Sequence, residues 1–168
     1  MKKRIKSVVL GLLLAIVMAI PSFAAPVGQT VDSVEGEIVV NENNRIVVQL
    51  YDRRGNWIAD GILEINNPRN GKIGIYMETQ CHMAVDKITM DVAVDKSVGT
   101  NSWQQVDYLT YTFTAKSNEE LTDAYIDLQL AGHESNTVYR LRGIHAAILN
   151  GSGETISTST PGLLITNN

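Results

Sequence analysis

Apolar and polar residues alternate one by one along most of the chain from residue 44 onward. Strict alternation is typical of strands that bury one face, and no stretch repeats its apolar residues with the 3.6-residue period of a helix. The alternating segments are NRIVVQLYD (44–52), WIADGILEIN (57–66), KIGIYMETQCHM (72–83), DKITMDVAVDK (86–96), WQQVDYLTYTFTA (103–115), DAYIDLQLAG (123–132), TVYRLRGIHAAIL (137–149) and ETISTSTPGLLIT (154–166). They predict an all-β protein, a sandwich or a barrel.

Turn-forming residues separate these segments. The glycine-containing turns DRRGN (52–56), NPRNG (67–71) and NGSGE (150–154) fall between predicted strands. Pro161 interrupts the last segment, and because proline lacks a ladder donor it predicts an edge position or a bulge there. Residues 101–103 and 117–121 are predicted to lie in loops.

The first 24 residues have the pattern of a secretory signal peptide. Four basic residues, Lys2, Lys3, Arg4 and Lys6, precede a nearly all-apolar run of about 14 residues. Ser22 and Ala24 supply the small residues of a cleavage site. The apolar run is shorter than the roughly 20 residues of a membrane-spanning helix. We therefore expect residues 1–24 to be removed and the protein to be secreted, with a retained anchor as the alternative.

Loss of this leader makes the protein more acidic. Four of the 14 basic residues and none of the 18 acidic residues lie in residues 1–24, so the remainder carries a net charge of −8. That balance argues against nucleic acid and against an anionic membrane surface as partners, since both attract basic proteins. Residues 25–36 have the composition of a flexible lead-in, and residues 37–168 have the length of one domain. A single cysteine cannot form an internal disulfide.

The order of the segments resembles the B-C-C′-E-F-G order of an immunoglobulin-like domain. Tyr139-x-Leu141 is similar to the Tyr-x-Cys of strand F, with Leu141 where antibody domains carry their second cysteine. Cys81 lies late in the B-like strand, where the first cysteine would be. The resemblance implies an immunoglobulin-like or fibronectin-III-like antiparallel β-sandwich of about seven to nine strands.

A longer stretch has a narrower resemblance. The segment VYRLRGIHAAILNGSGETISTST, together with VDKITMDV and Trp103, resembles a group of small exported Gram-positive proteins whose function is uncharacterised. Those proteins share a Tyr-Arg-x-Arg-Gly-x-His strand, a glycine-containing turn and a last strand with Glu and many Ser or Thr residues. The match covers roughly residues 72–165. It implies export and the sandwich fold, and it implies no activity.

The only cysteine, Cys81, stands beside His82, which raises the question of a joint site. Neighbours in a strand point to opposite faces, so Cys81 should face the core with Ile73, Ile75 and Met77 while His82 faces outward. Packing of a small apolar thiol is the interpretation that we favour. A reactive or intermolecularly paired thiol, and a metal or catalytic role, are the alternatives.

Arg140 and Arg142 are the clearest surface candidates for ligand binding. Side chains two residues apart on a strand share a face about 7 Å apart, and an arginine pair can hold a carboxylate or sulfate. The C-like strand presents Asp91 and Asp95 on the same face, so cross-strand ion pairs are the competing interpretation, and the one that we favour. Trp103 and Tyr108 stand nearby as aromatic anchors. We therefore take Arg140, Arg142, Trp103 and Tyr108 as the candidate ligand-binding residues.

Catalytic and metal-binding patterns are missing from the sequence. No serine lies in a Gly-x-Ser-x-Gly elbow, no His-Glu-x-x-His occurs, and the three histidines lie at no zinc spacing. His145 falls on the inward face and is expected to be a hydrogen-bonded, partly buried residue. The sequence predicts no enzyme, no catalytic residues, no metal and no cofactor.

The function expected from these patterns is a secreted, non-catalytic binding or structural module. Its partner would be an unknown protein or surface polymer, and its oligomeric state is left open. A carbohydrate-binding module that uses Trp57, Trp103 and exposed tyrosines is the first alternative. An unrecognised hydrolase is the second.

Overall fold

The computed structural model of this protein describes residues 37–51 and 55–168; the predicted signal peptide and lead-in lie outside these ranges. The described residues form ten strands. They are β1 (Glu37–Glu42), β2 (Arg45–Tyr51), β3 (Ile58–Asn66), β4 (Ile73–Cys81), β5 (Lys87–Gly99), β6 (Ser102–Thr114), β7 (Asp123–Leu130), β8 (Thr137–Leu149), β9 (Ser152–Ser159) and β10 (Leu163–Ile165).

The strands form two antiparallel sheets that pack face to face. Sheet A has the order β1-β2-β3-β4-β7, and sheet B has the order β10-β8-β5-β6, with β9 also paired to β8. The predicted antiparallel β-sandwich is therefore confirmed. Within it, β4 pairs with β7, and β6, β5, β8 and β9 follow one another across sheet B.

The core lies between the sheets and follows the alternation in the sequence. In β8, Tyr139, Leu141 and Ala147 are buried, while Arg142 and Ile144 on the other face are exposed. The apolar side chains of the other strands meet them from both sheets: Leu63, Ile65, Ile75, Met77, Ile88, Met90 and Val92 are all fully buried. Each such side chain stabilises the sandwich by about 1.5–3 kcal/mol relative to an exposed position.

Tyr139 also fixes the turn that precedes β8. Its ring is buried, and its hydroxyl donates a 3.0 Å hydrogen bond to the backbone oxygen of Glu134, five residues upstream. A buried tyrosine needs such a partner for its polar end. The bond ties the turn between β7 and β8 to the start of β8.

Pro161 divides the last predicted strand, as expected. β9 pairs with the C-terminal part of β8, and β10 pairs with residues Thr137–Tyr139 at its beginning. Thr160, between the two strands, accepts the amide proton of Leu141 through its hydroxyl at 2.9 Å. The split strand runs along one edge of sheet B, where a missing ladder donor is tolerated.

One expectation about the strands is wrong, the loop position of Trp103, and two features were not foreseen, β1 and the total of ten described strands. β1 was not predicted, because its side chains are nearly all exposed and it has no buried face to give an alternating pattern. With β1 and the division at Pro161, the described strands number ten and exceed the predicted seven to nine. Trp103 lies inside β6 and outside any loop, because β5 and β6 continue pairing as far as Gly99 and Ser102.

Glu154 joins the N-terminal strands to the rest of the sandwich. Its carboxylate accepts backbone hydrogen bonds from Asn56 at 2.9 Å, Trp57 at 2.6 Å and Ile58 at 3.0 Å, where β3 begins. β2 and β3 also continue sheet A beyond β4. The described N-terminal residues therefore pack on the sandwich and do not trail from it.

Candidate functional site

The outer face of sheet B brings together all four candidate residues from the sequence. Arg140 and Arg142 project from β8, and Trp103 and Tyr108 project from β6, with β5 between the two strands. Cross-strand register places Asp95 of β5 opposite Arg140 on one side and opposite Gln105 on the other. The four residues thus form one surface patch, which we call the arginine face.

Asp95 is the centre of the arginine face. Its Oδ2 accepts hydrogen bonds from Nε of Arg140 at 3.0 Å and from Nε of Arg142 at 2.8 Å, and its Oδ1 accepts from Nη2 of Arg142 at 3.0 Å. The hydrogen bond from Arg142, followed by that from Arg140, holds the pKa of the Asp95 carboxyl below its usual value, although burial acts in the opposite direction. The cross-strand pairing predicted for the two arginines is therefore present at Asp95.

The two guanidinium groups are partly exposed to solvent, whereas the Asp95 carboxylate is buried. The side chain of Asp95 is 3% exposed, against 29% for Arg140 and 46% for Arg142. Asp95 is therefore covered by the arginines that it binds. One buried negative charge facing two positive charges leaves the cluster with a net charge of +1.

Trp103 packs against the arginine pair. The guanidinium carbon of Arg140 lies 4.6 Å from the centre of the Trp103 ring, a cation–π arrangement. The far edge of the indole reaches Gly162, where an added Cβ would lie only 2.9 Å from Cη2 of Trp103. Arg140 is therefore held by Trp103 as well as by Asp95.

Tyr108 is the exposed aromatic residue of the arginine face. It is 50% exposed and lies in the same cross-strand row as Ala93 and Arg142. Asp91, the second acid that was expected to pair with the arginines, instead accepts a 2.6 Å hydrogen bond from the hydroxyl of Thr110. The predicted pairing is present at Asp95, and no such pair forms at Asp91 in the described part of the chain.

Ile144 is a member of this face that the sequence did not single out. It is 43% exposed and lies opposite Asp91 on the next strand. The alternation in β8 had placed it on the same side as Arg140 and Arg142. The alternation alone could not show that Ile144 is uncovered, because that depends on its cross-strand neighbour Asp91.

Cys81 is placed as the packing interpretation predicts. It ends β4 half-buried and packs against the core, and burial raises the pKa of its thiol to about 11. The thiol is therefore protonated at neutral pH and is a poor nucleophile, since the thiolate is the reactive form. His82 follows at an exposed position outside the strand, and its backbone amide donates to the carbonyl of Trp57 at 2.8 Å.

His145 faces inward, as predicted, and is completely buried. Its Nδ1 lies 2.9 Å from the hydroxyl of Thr79 and its Nε2 lies 3.0 Å from the hydroxyl of Thr158. Burial lowers the pKa of His145 to about 3, so the ring is neutral at physiological pH. Gly61 leaves room for the imidazole, because a Cβ there would lie 3.1 Å from its ring atoms.

Trp57 and Trp103, the residues proposed to stack on sugars, are both in contact with other side chains. Trp57 packs against the core, and Trp103 contacts Arg140 and Gly162. A sugar ring stacks best on an aromatic face that is open to solvent. Among the described aromatic residues, the tyrosines Tyr51, Tyr108 and Tyr125 are the most exposed.

Residues 37–51 and 55–168 contain neither a metal cluster nor a membrane-spanning helix. No group of three or more His, Cys, Asp or Glu side chains there could hold a metal ion. No helix in those ranges has the length and apolarity to cross a membrane.

Comparison with known proteins gave no assignment. The chain matches no protein-family model, and no curated protein is significantly similar to it.

Proposed function

We propose that the protein is an exported, non-catalytic interaction module that binds an acidic side chain of a protein partner on the arginine face. The observation that carries this proposal is the state of Arg140. Asp95 engages only its Nε, and Trp103 supports the guanidinium plane, so both terminal nitrogens are available within the described part of the chain. Two parallel guanidinium donors are the geometry that holds a carboxylate bidentately.

The surroundings of Arg140 suit a protein partner. Tyr108 and Ile144 expose a ring and an aliphatic side chain on the same face. Tyrosine, tryptophan and arginine are the residues most enriched among those that carry binding energy at protein interfaces. Because Asp95 orders the arginines beforehand, less side-chain entropy is lost when a ligand binds.

Export and the immunoglobulin-like character of the sandwich are part of the same proposal. Export is supported by the basic and apolar pattern of residues 1–24. The immunoglobulin-like character is supported by the C′–C–F–G order of sheet B and by the hydroxyl of Tyr139, whose bond to the chain upstream resembles a tyrosine corner. Domains of this type commonly use an open sheet face as an interaction surface.

The proposal is tested with a phage-displayed library of random peptides selected on the whole protein. We expect the selected peptides to be enriched in Asp and Glu, and their affinity to fall about ten-fold or more on Tyr108→Ala or Arg140→Lys. Tyr125→Ala is the matched control, because Tyr125 is a tyrosine on the other sheet that is 61% exposed, against 50% for Tyr108. Binders that tolerate Tyr108→Ala and Arg140→Lys, with the melting temperatures of both variants unchanged, would show that the arginine face is not the binding surface.

A further inference from the structure

The outer face of sheet A contains a groove that the proposed function does not use. It has a volume of about 470 Å³ and is lined by side chains of β2, β3, β4 and β7. Arg45, Glu64, Tyr76, Glu78 and Asp127 supply its polar and aromatic groups. The groove is of the size of a small-ligand site, although it is open along the sheet surface.

Most of the charge on this face is negative and is not neutralised by neighbouring residues. Arg45 is paired with Glu64 at 2.7 Å, and the amide of Asn66 donates to the other Glu64 oxygen at 3.0 Å. That pair is neutral as a unit. Glu78 and Asp127 in the groove, and Asp60 and Asp123 beside it, have no recorded ion pair within the described residues.

Among the described residues, only neutral donors order Glu78. Its Oε2 accepts the hydroxyl of Tyr76 at 2.5 Å, and its Oε1 accepts the amide of Gln80 at 2.7 Å. These bonds fix the position of the carboxylate without cancelling its charge. A fixed, uncompensated carboxylate attracts a cation without further ordering of the protein.

Asp60 gives an independent indication of an incomplete site. It faces the same side as the groove, is 5% exposed, and accepts one side-chain bond, from the amide of Gln49. Its Oδ1 is buried and has no hydrogen-bond partner among the described residues. A buried acceptor without a donor destabilises the free protein, and it adds a further negative group beside the groove.

Two tyrosines supply aromatic surface between these acids. The rings of Tyr76 and Tyr125 lie 6.2 Å apart between centroids and within 25° of parallel, and Tyr125 is 61% exposed. The face of a tyrosine ring attracts ammonium and guanidinium groups. Aromatic rings beside uncompensated carboxylates favour an organic cation over a neutral ligand.

The spacing of the acids favours a peptide as the source of those cations. The register puts Asp60 and Asp123 in one cross-strand row, Glu78 in the next row and Asp127 in the third. Successive rows on one face of a sheet are about 7 Å apart, which is also the spacing of alternate side chains in an extended peptide. In an extended peptide with Lys or Arg at every second position, each basic side chain would therefore lie beside one of the three rows of acids.

We propose that the groove on the outer face of sheet A binds an extended basic segment of a partner protein through its Lys or Arg side chains. Glu78 and Asp127 receive the charged groups, and Tyr76 and Tyr125 contact their faces and stems. This site is separate from the arginine face and lies on the opposite side of the sandwich.

The test is an NMR titration of the ¹⁵N-labelled whole protein with synthetic hexalysine, with hexaglutamate as the control peptide. We expect hexalysine to shift backbone amides of β3, β4 and β7 and to bind more weakly as salt increases. Asp127→Asn and Tyr125→Ala should each weaken binding, and the double variant should lose about ten-fold or more. Tyr108→Ala is the matched control and should bind hexalysine unchanged.

Four outcomes would overturn the proposal. Shifts spread equally over the acids at 86, 119 and 120 would indicate non-specific attraction. Tighter binding of spermine than of hexalysine would make the ligand a small polyamine. Binding of a neutral oligosaccharide at the same residues, unaffected by salt, would make it a carbohydrate. Unchanged hexalysine binding by the double variant would place the site elsewhere. Tyr108→Ala is a test variant in the peptide selection and the control here, and Tyr125→Ala is the reverse. Failure of one proposal is therefore distinguishable from failure of the other.

Discussion

Asp95 and Asp60 are two nearly buried carboxylates on the outer faces of the two sheets, and their surroundings are opposite. Asp95 on sheet B accepts three hydrogen bonds from two arginines, and those arginines lower its pKa. Asp60 on sheet A accepts one side-chain hydrogen bond, from the neutral amide of Gln49, and its other oxygen has no partner among the described residues. Burial, the largest influence on Asp60, raises its pKa.

The difference separates a completed site from an incomplete one. At Asp95 the protein supplies both the charge and the donors that a buried carboxylate needs, so the acid stabilises the fold and orients Arg140 and Arg142. At Asp60 no cation among the described residues pairs with the buried carboxyl, and this destabilises the free protein.

The largest effect is expected from Asp95→Asn. The change removes the charge that two guanidinium groups face, so we expect the free energy of unfolding to fall by about 2–3 kcal/mol. Urea denaturation of the variant and the wild type measures this loss. The arginines stay partly hydrated in the variant, which keeps the loss below that of a fully buried pair. A loss under about 0.5 kcal/mol would mean that the cluster does not stabilise the sandwich.

His145 is a third buried ionisable group, and its only hydrogen-bond partners among the described side chains are the neutral hydroxyls of Thr79 and Thr158. Its ring is therefore stable in the folded protein only when uncharged. Its pKa is about 3 in the folded protein and about 6.5 in an unfolded chain, so the unfolded chain takes up the proton first. Stability from this group is complete above about pH 6.5 and is lost as the pH falls towards 3. The expected loss is about 2 kcal/mol at pH 5 relative to pH 7.

Denaturation at pH 7 and pH 5 measures that dependence in the wild type and two variants. His145→Gln should remove most of the pH dependence, although it destabilises the protein at both values. His133→Gln is the control and should retain the pH dependence of the wild type, because His133 lies outside the core, 3.4 Å from Asp107. Equal pH dependence in wild type and His145→Gln would assign the effect to other groups.

Cys81 is a half-buried ionisable group that needs no charged partner because its thiol remains protonated. Cys81→Ala removes a half-buried sulfur from the edge of the core and should reduce the free energy of unfolding by roughly 1 kcal/mol. Reducing agent should leave the melting temperature of the wild type unchanged. A large drop in melting temperature on reduction would point instead to a disulfide between chains.

The smallest effect is expected from Asp60→Asn. Neutralising an uncompensated buried charge should keep the free energy of unfolding within about 0.5 kcal/mol of the wild-type value or increase it. The same urea series measures this change beside Asp95→Asn. A loss as large as that of Asp95→Asn would show that Asp60 has a compensating partner.

Local alternation predicted much of the fold. It gave the faces of β4 and β8, and with them the inward positions of Leu141 and His145. Period-two patterns are local, so they survive without knowledge of the partner strands. β1 was not predicted, because its residues lie at one edge of sheet A and are nearly all exposed, so they show no alternation.

The contacts between distant segments could not be predicted in the same way. Glu154 binds the backbone at Asn56 across a separation of 98 residues, and no local pattern specifies that pairing. The groove on sheet A depends on the register of β2, β3, β4 and β7, which were individually predicted without their order. The arginine face was identified because its two arginines are close in sequence.

The central claim is that two arginines compensate the buried Asp95 carboxyl on sheet B, whereas the buried Asp60 carboxyl on sheet A has no such partner among the described residues. An NMR titration that follows the side-chain carboxyl carbons of Asp95 and Asp60 tests this claim directly. The account predicts a pKa for Asp95 below the usual value of about 3.9 and a pKa for Asp60 above it. Equal values, or the reverse order, would contradict it.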